Sequence, residues 1–379
     1  MAEKRILVDT FYLYVAQTGI RTYIRTFCRQ AESQVLEDVT YIFSPDWRKA
    51  EKIKFFKGKT SKWKNWLFQG IYFCRKLIIL PILSYWYRAD VVFSPDILSP
   101  IWSRGHKVSV IHDAFFWENP THYNRKWLRI FISFLYKGLK RNATVVTISN
   151  YSKQQLRKFL PFPALPIIVV YPSTHFKASE LAAMSTPPVS GPYFLHVGVM
   201  EKRKNLPLLV KALAILVQEP QFNNYKLVLL GQRGPREELD DYDEIMTAVS
   251  DLGIEARVVF PGYVDESTMA GYYQHAVAYL FPSLSEGFGM PILEAFSYRL
   301  PVIVSNQGAL VEIGGNAVLE VNDTTPEAFA TAMGIIATNS IYREDLIQKG
   351  LERLKKFSEE SFFQSLHACF VNEIDKMQR

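Results

Sequence analysis

The sequence has few cysteines and no pattern that would join them. Its 379 residues include three, Cys28, Cys74 and Cys369, which are far apart and odd in number. This spacing predicts neither a disulfide framework nor a metal site. It fits a reducing compartment, so we expect a cytoplasmic protein.

We expect neither a targeting segment nor a membrane-spanning segment. The stretch MAEKRILVDTFYLYVA at the start is typical of a strand and lacks the apolar core and small-residue cleavage site of a secretory signal. Charged residues interrupt every apolar stretch before it reaches about 18 residues, so we expect no spanning helix.

The overall composition is that of a globular protein, with 48% hydrophobic and 21% charged residues. The charge is unevenly distributed. Residues 1–175 carry 27 basic and 11 acidic side chains, whereas residues 176–379 carry 17 basic and 26 acidic ones. The basic half is expected to favour an anionic partner, either a membrane, a nucleic acid or a phosphorylated ligand.

Short apolar runs that end in polar residues alternate with helical patterns along both halves of the chain. RILVD, VTYIFS and KVSVIHD are examples in the first half, and PYFLHVG, YKLVLLG and VAYLFPS in the second. Buried parallel strands have this pattern, with function expected where each run turns polar. The fold class we predict is α/β, with two doubly wound Rossmann-like lobes facing a cleft.

Proline clusters and small polar residues around 161–192 predict a linker between the lobes. The boundaries we expect are 1–175 for an acceptor-binding domain and 190–357 for a nucleotide-sugar-binding domain. Residues 358–379 form an amphipathic helix that we expect to pack back toward the first domain.

Two glutamates, Glu286 and Glu294, bracket the loop before a helix predicted to begin near Pro291. If all eight steps between them were helical, their carboxylates would lie ~12 Å apart along the axis. Glycosidase acid/base pairs lie about 5–9.5 Å apart, so the spacing favours two contacts on one long ligand. For isolated glutamates, a solvated Glu286 and a dipole-complementing Glu294 are the commoner explanation. Gly287 and Gly289 favour the ligand, because they let backbone amides approach it at a helix N-terminus.

Three further loops follow predicted strands. Lys202, Arg203 and Lys204 lie before a helix in HVGVMEKRKNLPLLV, where a phosphate site and a solvated basic turn are equally plausible. A single glycine, Gly19, is a weak phosphate signal. His112 in VIHDAFF stands at a strand end, and a lone histidine is more often structural than catalytic.

The segment FPSLSEGFGMPILEAFSYRLPVIVSNQGALVEIGGNAVLEV resembles the donor-site signature of retaining glycosyltransferases of family 4, which have the GT-B fold. VIHD, VVTISNYSK, HVGVMEKRKN, LVLLG and VVFPGYV precede it in that family's order. The resemblance therefore runs from residue 5 to about residue 335. Its motifs are specific for the family but not for a sugar.

The resemblance implies a site for a nucleotide-sugar donor. Its donor-binding residues would be Gly19, Gly198, Arg203, Lys204, Ser285, Glu286, Phe288, Gly289, Met290 and Glu294. The backbone amides of Phe288, Gly289 and Met290 would contact sugar or phosphate.

Catalytic roles are implied for four residues: Glu286, His112, Lys204 and Arg203. Glu286 would hold the transferred sugar or its developing positive charge, and His112 would line the acceptor side. Lys204 and Arg203 would neutralise the departing diphosphate, which accelerates the reaction because this charge grows in the transition state. Glu294 would accept hydrogen bonds from the ribose hydroxyls. Retention without an obvious nucleophile implies front-face attack.

The sequence departs from the family pattern at two places. Val199 and Met200 stand where many relatives have an arginine, so Arg203 is the less certain of the two cations. The N-terminal loop has one glycine, and nearby Arg21 could either contact an anionic acceptor or pack elsewhere. No Asp-x-Asp motif stands in the expected place, so we expect no metal or other cofactor.

Residues 45–90 are basic and rich in aromatic residues, with 11 Lys/Arg against three acidic residues. This segment favours an anionic membrane surface, and with it a glycan or lipid-linked acceptor at the inner face of the membrane. Residues 123–142 are a second candidate, although a core helix with a solvated basic face explains them slightly better.

Two alternatives remain open from the sequence. The sequence pI of about 9.0 would suit a nucleic-acid-binding protein, but no known motif of that class occurs and we expect no nucleic-acid partner. An epimerase-like enzyme would share the two-lobed fold. For a transferase, mannose is the first expectation, followed by rhamnose, glucose and N-acetylglucosamine. We expect cell-surface polysaccharide or lipopolysaccharide as the product class.

Overall fold

The computed structural model describes residues 3–16, 19–34, 38–53, 55–56, 62–174, 187–234 and 237–378. The chain divides into two compact units. Unit 1 comprises Met1–His175 together with Phe357–Arg379, and unit 2 comprises Phe176–Lys356.

Unit 1 is built on a parallel six-stranded sheet. The strands are β1 (Lys4–Asp9), β2 (Val39–Ser44), β3 (Val91–Ser94), β4 (His106–Val110), β5 (Ala143–Thr147) and β6 (Ile167–Val169). They are ordered β2-β1-β3-β4-β5-β6. Because the order reverses direction at β1, the sheet has its topological switch point between β1 and β3, where crevices form in such sheets.

The helices of unit 1 cover both faces of this sheet. They are α1 (Gly19–Ser33), α2 (Trp47–Lys52), α3 (Lys62–Cys74), α4 (Leu80–Trp86), α5 (Phe115–Glu118), α6 (Arg125–Leu139), α7 (Asn150–Phe159) and α15 (Glu359–Gln378). The final helix, α15, belongs to this unit because its apolar face enters the core. Phe370 packs on Phe93 of β3 and Phe27 of α1, with ring centroids 4.9 and 6.0 Å away.

Unit 2 repeats the design with a different strand order. Its strands are β7 (Tyr193–Val197), β8 (Lys226–Leu230), β9 (Val258–Gly262), β10 (Ala278–Phe281), β11 (Val302–Ser305) and β12 (Val318–Val321). Its helices are α8 (Leu206–Leu216), α9 (Tyr242–Asp251), α10 (Glu266–His275), α11 (Met290–Ser297), α12 (Leu310–Gly314), α13 (Pro326–Thr338) and α14 (Ser340–Leu354).

The order β12-β11-β10-β7-β8-β9 places the switch point of unit 2 between β7 and β10. All pairs in both sheets are parallel. The inner strands are almost wholly buried because helices cover each face, whereas the edge strands β2, β6, β9 and β12 are only partly buried. The predicted fold class of two doubly wound halves is confirmed. The cleft expected between them stays a prediction.

A buried ionic network occupies the switch point of unit 1. Lys76 is fully buried, and its ammonium lies 2.8 Å from Asp9 at the end of β1 and 2.7 Å from Asp96 just after β3. Arg75 adds a second bond to Asp9 at 2.7 Å, and Tyr72 donates to the other oxygen of Asp96. Burial alone would raise the pKa of Asp9, but Arg75 and Lys76 lower that pKa to about 2.

The cations of this network come from one long helical segment. Helix α3 continues through a π-helical turn, Arg75–Ile79, into α4. Residues 63–86 are long and apolar enough to cross a membrane by length and composition, with a mean hydropathy of 1.4. That result qualifies the expectation of no spanning helix, but it is weak by itself because a core helix passes the same test.

We predict that the ionic network is a major contributor to the stability of unit 1. Lys76→Met should lower the free energy of unfolding by about 3–5 kcal/mol, because it leaves two buried carboxylates without their shared cation. All seven tryptophans precede residue 128, so tryptophan fluorescence during urea unfolding follows unit 1.

The matched control is Arg5→Met, which removes a cation from an exposed pair with Glu3 in the same unit. Exposed pairs contribute about 0–1 kcal/mol, so this variant should unfold at nearly the wild-type urea concentration. Equal effects of the two substitutions would contradict the role given to Lys76.

Candidate active site

The first part of the candidate site is the loop after β7. The chain leaves the strand at Gly198 and forms a short 3-10 turn, Lys202–Lys204. Asn205 then adopts a left-handed conformation with φ of 54° and starts α8, a conformation that asparagine tolerates better than most residues. The backbone N–H of Lys204 donates to the carbonyl of Glu201 at 2.7 Å. This turn directs Lys204 inward, and its side chain is only 9% exposed.

The second part is the loop after β10, the neighbouring strand across the switch point. Leu284 N–H donates to the carbonyl of Arg203 at 2.8 Å, which ties the two loops together. Gly308 closes on the same loop from the other side with φ of 62°. A Cβ there would lie 2.6 Å from the backbone N and O of Glu286. Only glycine fits this approach, so Gly308 is required to hold Glu286 in place.

The two loops bring three predicted residues into one cluster. Glu286 Oε1 lies 2.5 Å from Lys204 Nζ and 2.8 Å from Arg203 Nη1. Arg203 Nε also bonds to Glu201 at 2.9 Å, and the Lys204 ammonium lies 4.9 Å from the centre of the Phe281 ring. The cluster therefore contains two cations and two carboxylates in a largely dry environment.

The protonation states in the cluster follow from this pairing. Burial would raise the pKa of Glu286, but Lys204 and Arg203 lower that pKa below its usual value. Burial lowers the pKa of Lys204, and Glu286 opposes the change. The arrangement can bind an anionic group, because such a group can share the two cations with Glu286.

The second glutamate, Glu294, lies apart from this cluster on α11. Gly289 begins α11 in a left-handed conformation with φ of 105°, next to Met290 and the buried Phe288. Burial raises the pKa of Glu294 to about 7, although Tyr273 Oη donates to it at 2.8 Å. Glu294 is therefore balanced between its protonated and ionised forms near neutral pH.

Sequence reasoning missed Tyr273 and His196. The Tyr273 ring stacks between Tyr279 and Tyr298, with centroids 5.9 and 5.2 Å away, so its hydroxyl is held toward Glu294. His196 stands at the end of β7, and its Nδ1 bonds to the carbonyl of Leu280 at 2.8 Å. Burial lowers its pKa to about 4, so the imidazole is neutral. The strand-end position of His196 was the available signal; Tyr273 offered none, since it lies inside a helix.

The remaining predicted residues occupy separate places. Ser285 is partly exposed beside Glu286 in unit 2, and Gly198 follows the last residue of β7. His112 and Gly19 lie in unit 1. His112 is packed edge-on against Tyr23 at 5.3 Å, and its Nε2 is buried without a hydrogen-bond partner among the described residues. Gly19 is exposed at the start of α1.

The structure shows the surroundings of the residues at the two places where the sequence departs from the family pattern. Arg21 pairs with Glu51 at 2.7 Å, so it is engaged within unit 1. Val199 is exposed and Met200 is buried, so neither replaces the arginine of the family pattern. Arg203 reaches the same carboxylate as Lys204, and its substitution for that arginine stays a prediction.

Within the described parts of the chain, no group of three or more His, Cys, Asp or Glu side chains could hold a metal ion. The roles assigned to the individual residues, and the expectation that no metal is needed, stay predictions.

Comparison with known proteins places this geometry in a family. The family model described as "Glycosyl transferases group 1" matches residues 180–353. O-antigen chain mannosyltransferase B of Escherichia coli is 27% identical over 266 residues, covering 67% of each chain. O-antigen chain mannosyltransferase RfbU of Salmonella typhimurium is 25% identical over 262 residues, covering 66% of this chain and 69% of the relative.

A solved structure agrees with the fold. Anabaena Alr3699/HepE, crystallised with UDP and glucose, superposes with a TM-score of 0.66 at 14% identity and covers 97% of this chain and 99% of the other. The protein is a glycosyltransferase with the GT-B fold. Its residues 180–353 match the family model of the glycosyl transferases group 1, in agreement with the family resemblance.

The raised pKa of Glu294 predicts a change in stability with pH. Its folded pKa, about 7, lies above the ordinary value of 4.5, so its contribution is fully present below pH about 4.5 and is lost as pH rises through 7. Glu294→Gln imitates the neutral form. It should raise the melting temperature relative to wild type at pH 8 and change it little at pH 4.5.

The control is Glu238→Gln, because Glu238 is exposed. Melting curves of both variants from pH 4.5 to 8.5 measure the effect. A Glu294→Gln difference that is constant across this range would contradict the assigned pKa.

Proposed function

We propose that the protein transfers a hexose, with mannose the first candidate, from a nucleoside-diphosphate sugar to a glycan or lipid-linked acceptor. The anomeric configuration is retained, and no metal takes part. The product belongs to cell-surface polysaccharide or lipopolysaccharide, and the enzyme works in the cytoplasm at the inner face of the membrane. The names of the two O-antigen mannosyltransferases support the sugar and product class.

The observation that carries the proposal is the contact of Lys204 and Arg203 with Glu286 at the switch point of unit 2. Ligands of doubly wound sheets bind outside the carboxyl ends of the strands at such a point. A diphosphate needs fixed cations, and a sugar needs a hydrogen-bond acceptor for its hydroxyls. The cluster supplies both within one short distance.

The chemistry follows from how charge moves in the reaction. When the bond between the anomeric carbon and the diphosphate oxygen breaks, negative charge grows on the phosphates and positive charge on the sugar ring. Lys204 and Arg203 stabilise the negative charge on the phosphates, and the Glu286 carboxylate stabilises the positive charge on the sugar ring. The acceptor hydroxyl attacks from the face that the diphosphate leaves, and the departing phosphate oxygen takes its proton.

Glu294 binds the other end of the donor. Its ionised carboxylate accepts hydrogen bonds from the ribose hydroxyls, and the Tyr273 hydroxyl stabilises the ionised form. Glu294 is protonated at low pH, because burial raises its pKa to about 7. Donor binding therefore requires Glu294 to lose this proton, since only the ionised carboxylate accepts both hydrogen bonds.

A panel of GDP-, UDP- and dTDP-sugars tests the proposal directly. Release of the nucleoside diphosphate, with NMR of the product's anomeric carbon, identifies the base, the sugar and the stereochemistry together. Turnover that yields only an isomerised sugar nucleotide would indicate an epimerase and overturn the transferase proposal. Inversion of the product would overturn retention alone.

Substitutions in the cluster should act on turnover. Lys204→Gln and Glu286→Gln should each lower kcat by about 10²–10³-fold, because each removes a group whose interaction is strongest in the transition state. Lys202→Gln is the matched control. That residue is exposed and points to Glu244 at 3.5 Å, so its loss should change kcat less than about twofold. Circular dichroism would verify that all three variants are folded.

The proposed ribose contact predicts how donor affinity depends on pH. Because the pKa of Glu294 is about 7, KM for the donor should rise as pH falls below 7 while kcat changes less. Tyr273→Phe removes the hydrogen bond that lowers this pKa, so the rise in KM should begin at a higher pH. Tyr263→Phe, at a 77% exposed position, should leave the profile unchanged. Identical profiles for wild type and Tyr273→Phe would contradict the assignment.

A further inference from the structure

The long helical segment of unit 1, residues 63–86, has one face that the fold does not use. Its inward face packs on the sheet through residues spaced by four, namely Phe68, Tyr72, Lys76, Leu80 and Ser84. Its outward face repeats the same spacing with exposed residues, namely Trp66, Gly70, Cys74, Ile78, Ile82 and Trp86. We call this second stripe the outer face.

The π-helical turn Arg75–Ile79 keeps the two faces separate. In a regular α-helix, positions four apart drift by about 40° per step, which adds up to about 160° over sixteen residues. The wider π turn cancels part of that rotation. Ser84 therefore lies on the same buried side as Phe68, and the outer face remains a continuous stripe.

The outer face is apolar and carries no charge among its described side chains. Trp66 and Trp86 are each 79% exposed, and Ile82 is 53% exposed. Aromatic residues stand at both ends, where Trp63 adds to one end and Tyr85 to the other, while aliphatic residues occupy the middle. Single exposed apolar residues are ordinary, but a contiguous stripe of this kind marks an interaction surface.

The segment cannot cross a bilayer while unit 1 stays folded. Its two cations, Arg75 and Lys76, are held by Asp9 and Asp96 in the buried network, with Lys76 bonded to both carboxylates. Insertion across the membrane would remove these charges from their partners and expose the core beneath. Because these ion pairs hold the inward face against the sheet, the outer face stays on the surface of unit 1, where a partner can contact it.

Unpaired positive charge lies on α6, the helix that neighbours residues 63–86. Phe73 contacts Phe134 of α6, with ring centroids 5.5 Å apart, so the two helices are neighbours on one side of the sheet. The exposed side of α6 carries Arg129 and Lys137, and the exposed Lys140 caps its C-terminus. These three line a shallow groove of about 470 Å³, and none forms an ion pair within the described residues.

We propose that unit 1 docks on an anionic lipid bilayer through the outer face, with residues 63–86 lying in the plane of the headgroup region. The apolar stripe enters the boundary between headgroups and acyl chains, and its terminal aromatic residues sit at headgroup depth. The cations of α6 attract the anionic headgroups. Of the cluster singled out in the sequence, Lys54, Lys57 and Lys59 lie outside the described residues, and the proposal does not depend on them.

Flotation with vesicles tests the proposal on the full chain without any donor, so its outcome is independent of the transferase activity. The protein should float with phosphatidylglycerol/phosphatidylcholine vesicles and much less with phosphatidylcholine alone. Ile78→Glu/Ile82→Glu should lower the partition coefficient at least about tenfold, because it places charge on the inserted stripe. The matched control is Ile341→Glu, at an 84% exposed position in unit 2, which should bind as wild type.

The electrostatic part is tested separately. Each cation near an anionic surface contributes about fivefold to binding, so Arg129→Gln/Lys137→Gln/Lys140→Gln should weaken binding to anionic vesicles by about a hundredfold. Its residual binding to neutral vesicles should match wild type. Equal binding of this variant and wild type to anionic vesicles would contradict the role of α6.

A spin label on a native cysteine measures how deeply the outer face enters the bilayer. Cys74 is exposed in the middle of the outer face, whereas Cys28 and Cys369 are buried, so a nitroxide reagent labels Cys74 selectively. With anionic vesicles the label should become accessible to oxygen and protected from a water-soluble nickel chelate, at a depth of about 5–10 Å.

Three results would overturn the proposal. A label that stays accessible to the chelate would show that the outer face remains in water. Resistance to alkaline carbonate extraction would indicate a spanning segment. A lipid-free dimer that Ile78→Glu/Ile82→Glu converts into a monomer would identify a second copy of the chain as the occupant.

Discussion

Both units depend on the pairing of buried charges at the carboxyl ends of parallel strands. In a doubly wound sheet, the strand order reverses at one point, and the loops there diverge and leave a crevice. Unit 1 fills its crevice with two cations from its own helix, held by Asp9 and Asp96. Unit 2 places Lys204, Arg203 and Glu286 at the corresponding point. The same physical requirement thus gives a structural anchor in one unit and a candidate active site in the other.

The two charge clusters differ in how completely their cations are buried and paired with carboxylates. Lys76 is fully enclosed and bonds to two carboxylates, so any exchange of partner would cost the full penalty of an unpaired buried charge. Arg203 keeps 40% of its side chain exposed, and it shares Glu286 with Lys204. A diphosphate can compete with one carboxylate for two cations at much smaller cost. The Leu284 hydrogen bond and the close approach of Gly308 hold the two loops in place around these charges.

The anchor in unit 1 also has a consequence for the surface. Because Arg75 and Lys76 are held inward, one side of residues 63–86 is buried and the opposite side is exposed. The π turn keeps the same side buried along the whole segment. The proposed lipid-docking surface and the proposed nucleotide-sugar site would together suit a lipid-linked acceptor. Each can be examined without the other.

Much of the architecture could be predicted from local patterns. The alternation of apolar runs with helical segments indicated two doubly wound halves, because buried parallel strands need apolar side chains on both faces. The loops that follow those runs offer Lys204 and Glu286 as candidates, and the family resemblance implies their roles. Periodicity could not identify Tyr273, which lies mid-helix, or Gly308, whose importance arises from one backbone passing close to another.

The sequence by itself therefore determined the class of fold and which loops are candidates for the site, since both follow from hydrophobic period and turn composition within about ten to twenty neighbouring residues. Only the tertiary structure decided which charges meet. Asp9, Lys76 and Asp96 come together because β1 and β3 are adjacent in the sheet of unit 1. Lys204 contacts Glu286 because β7 and β10 are adjacent in the sheet of unit 2. Strand order is a property of the packed chain, and no local pattern encodes it.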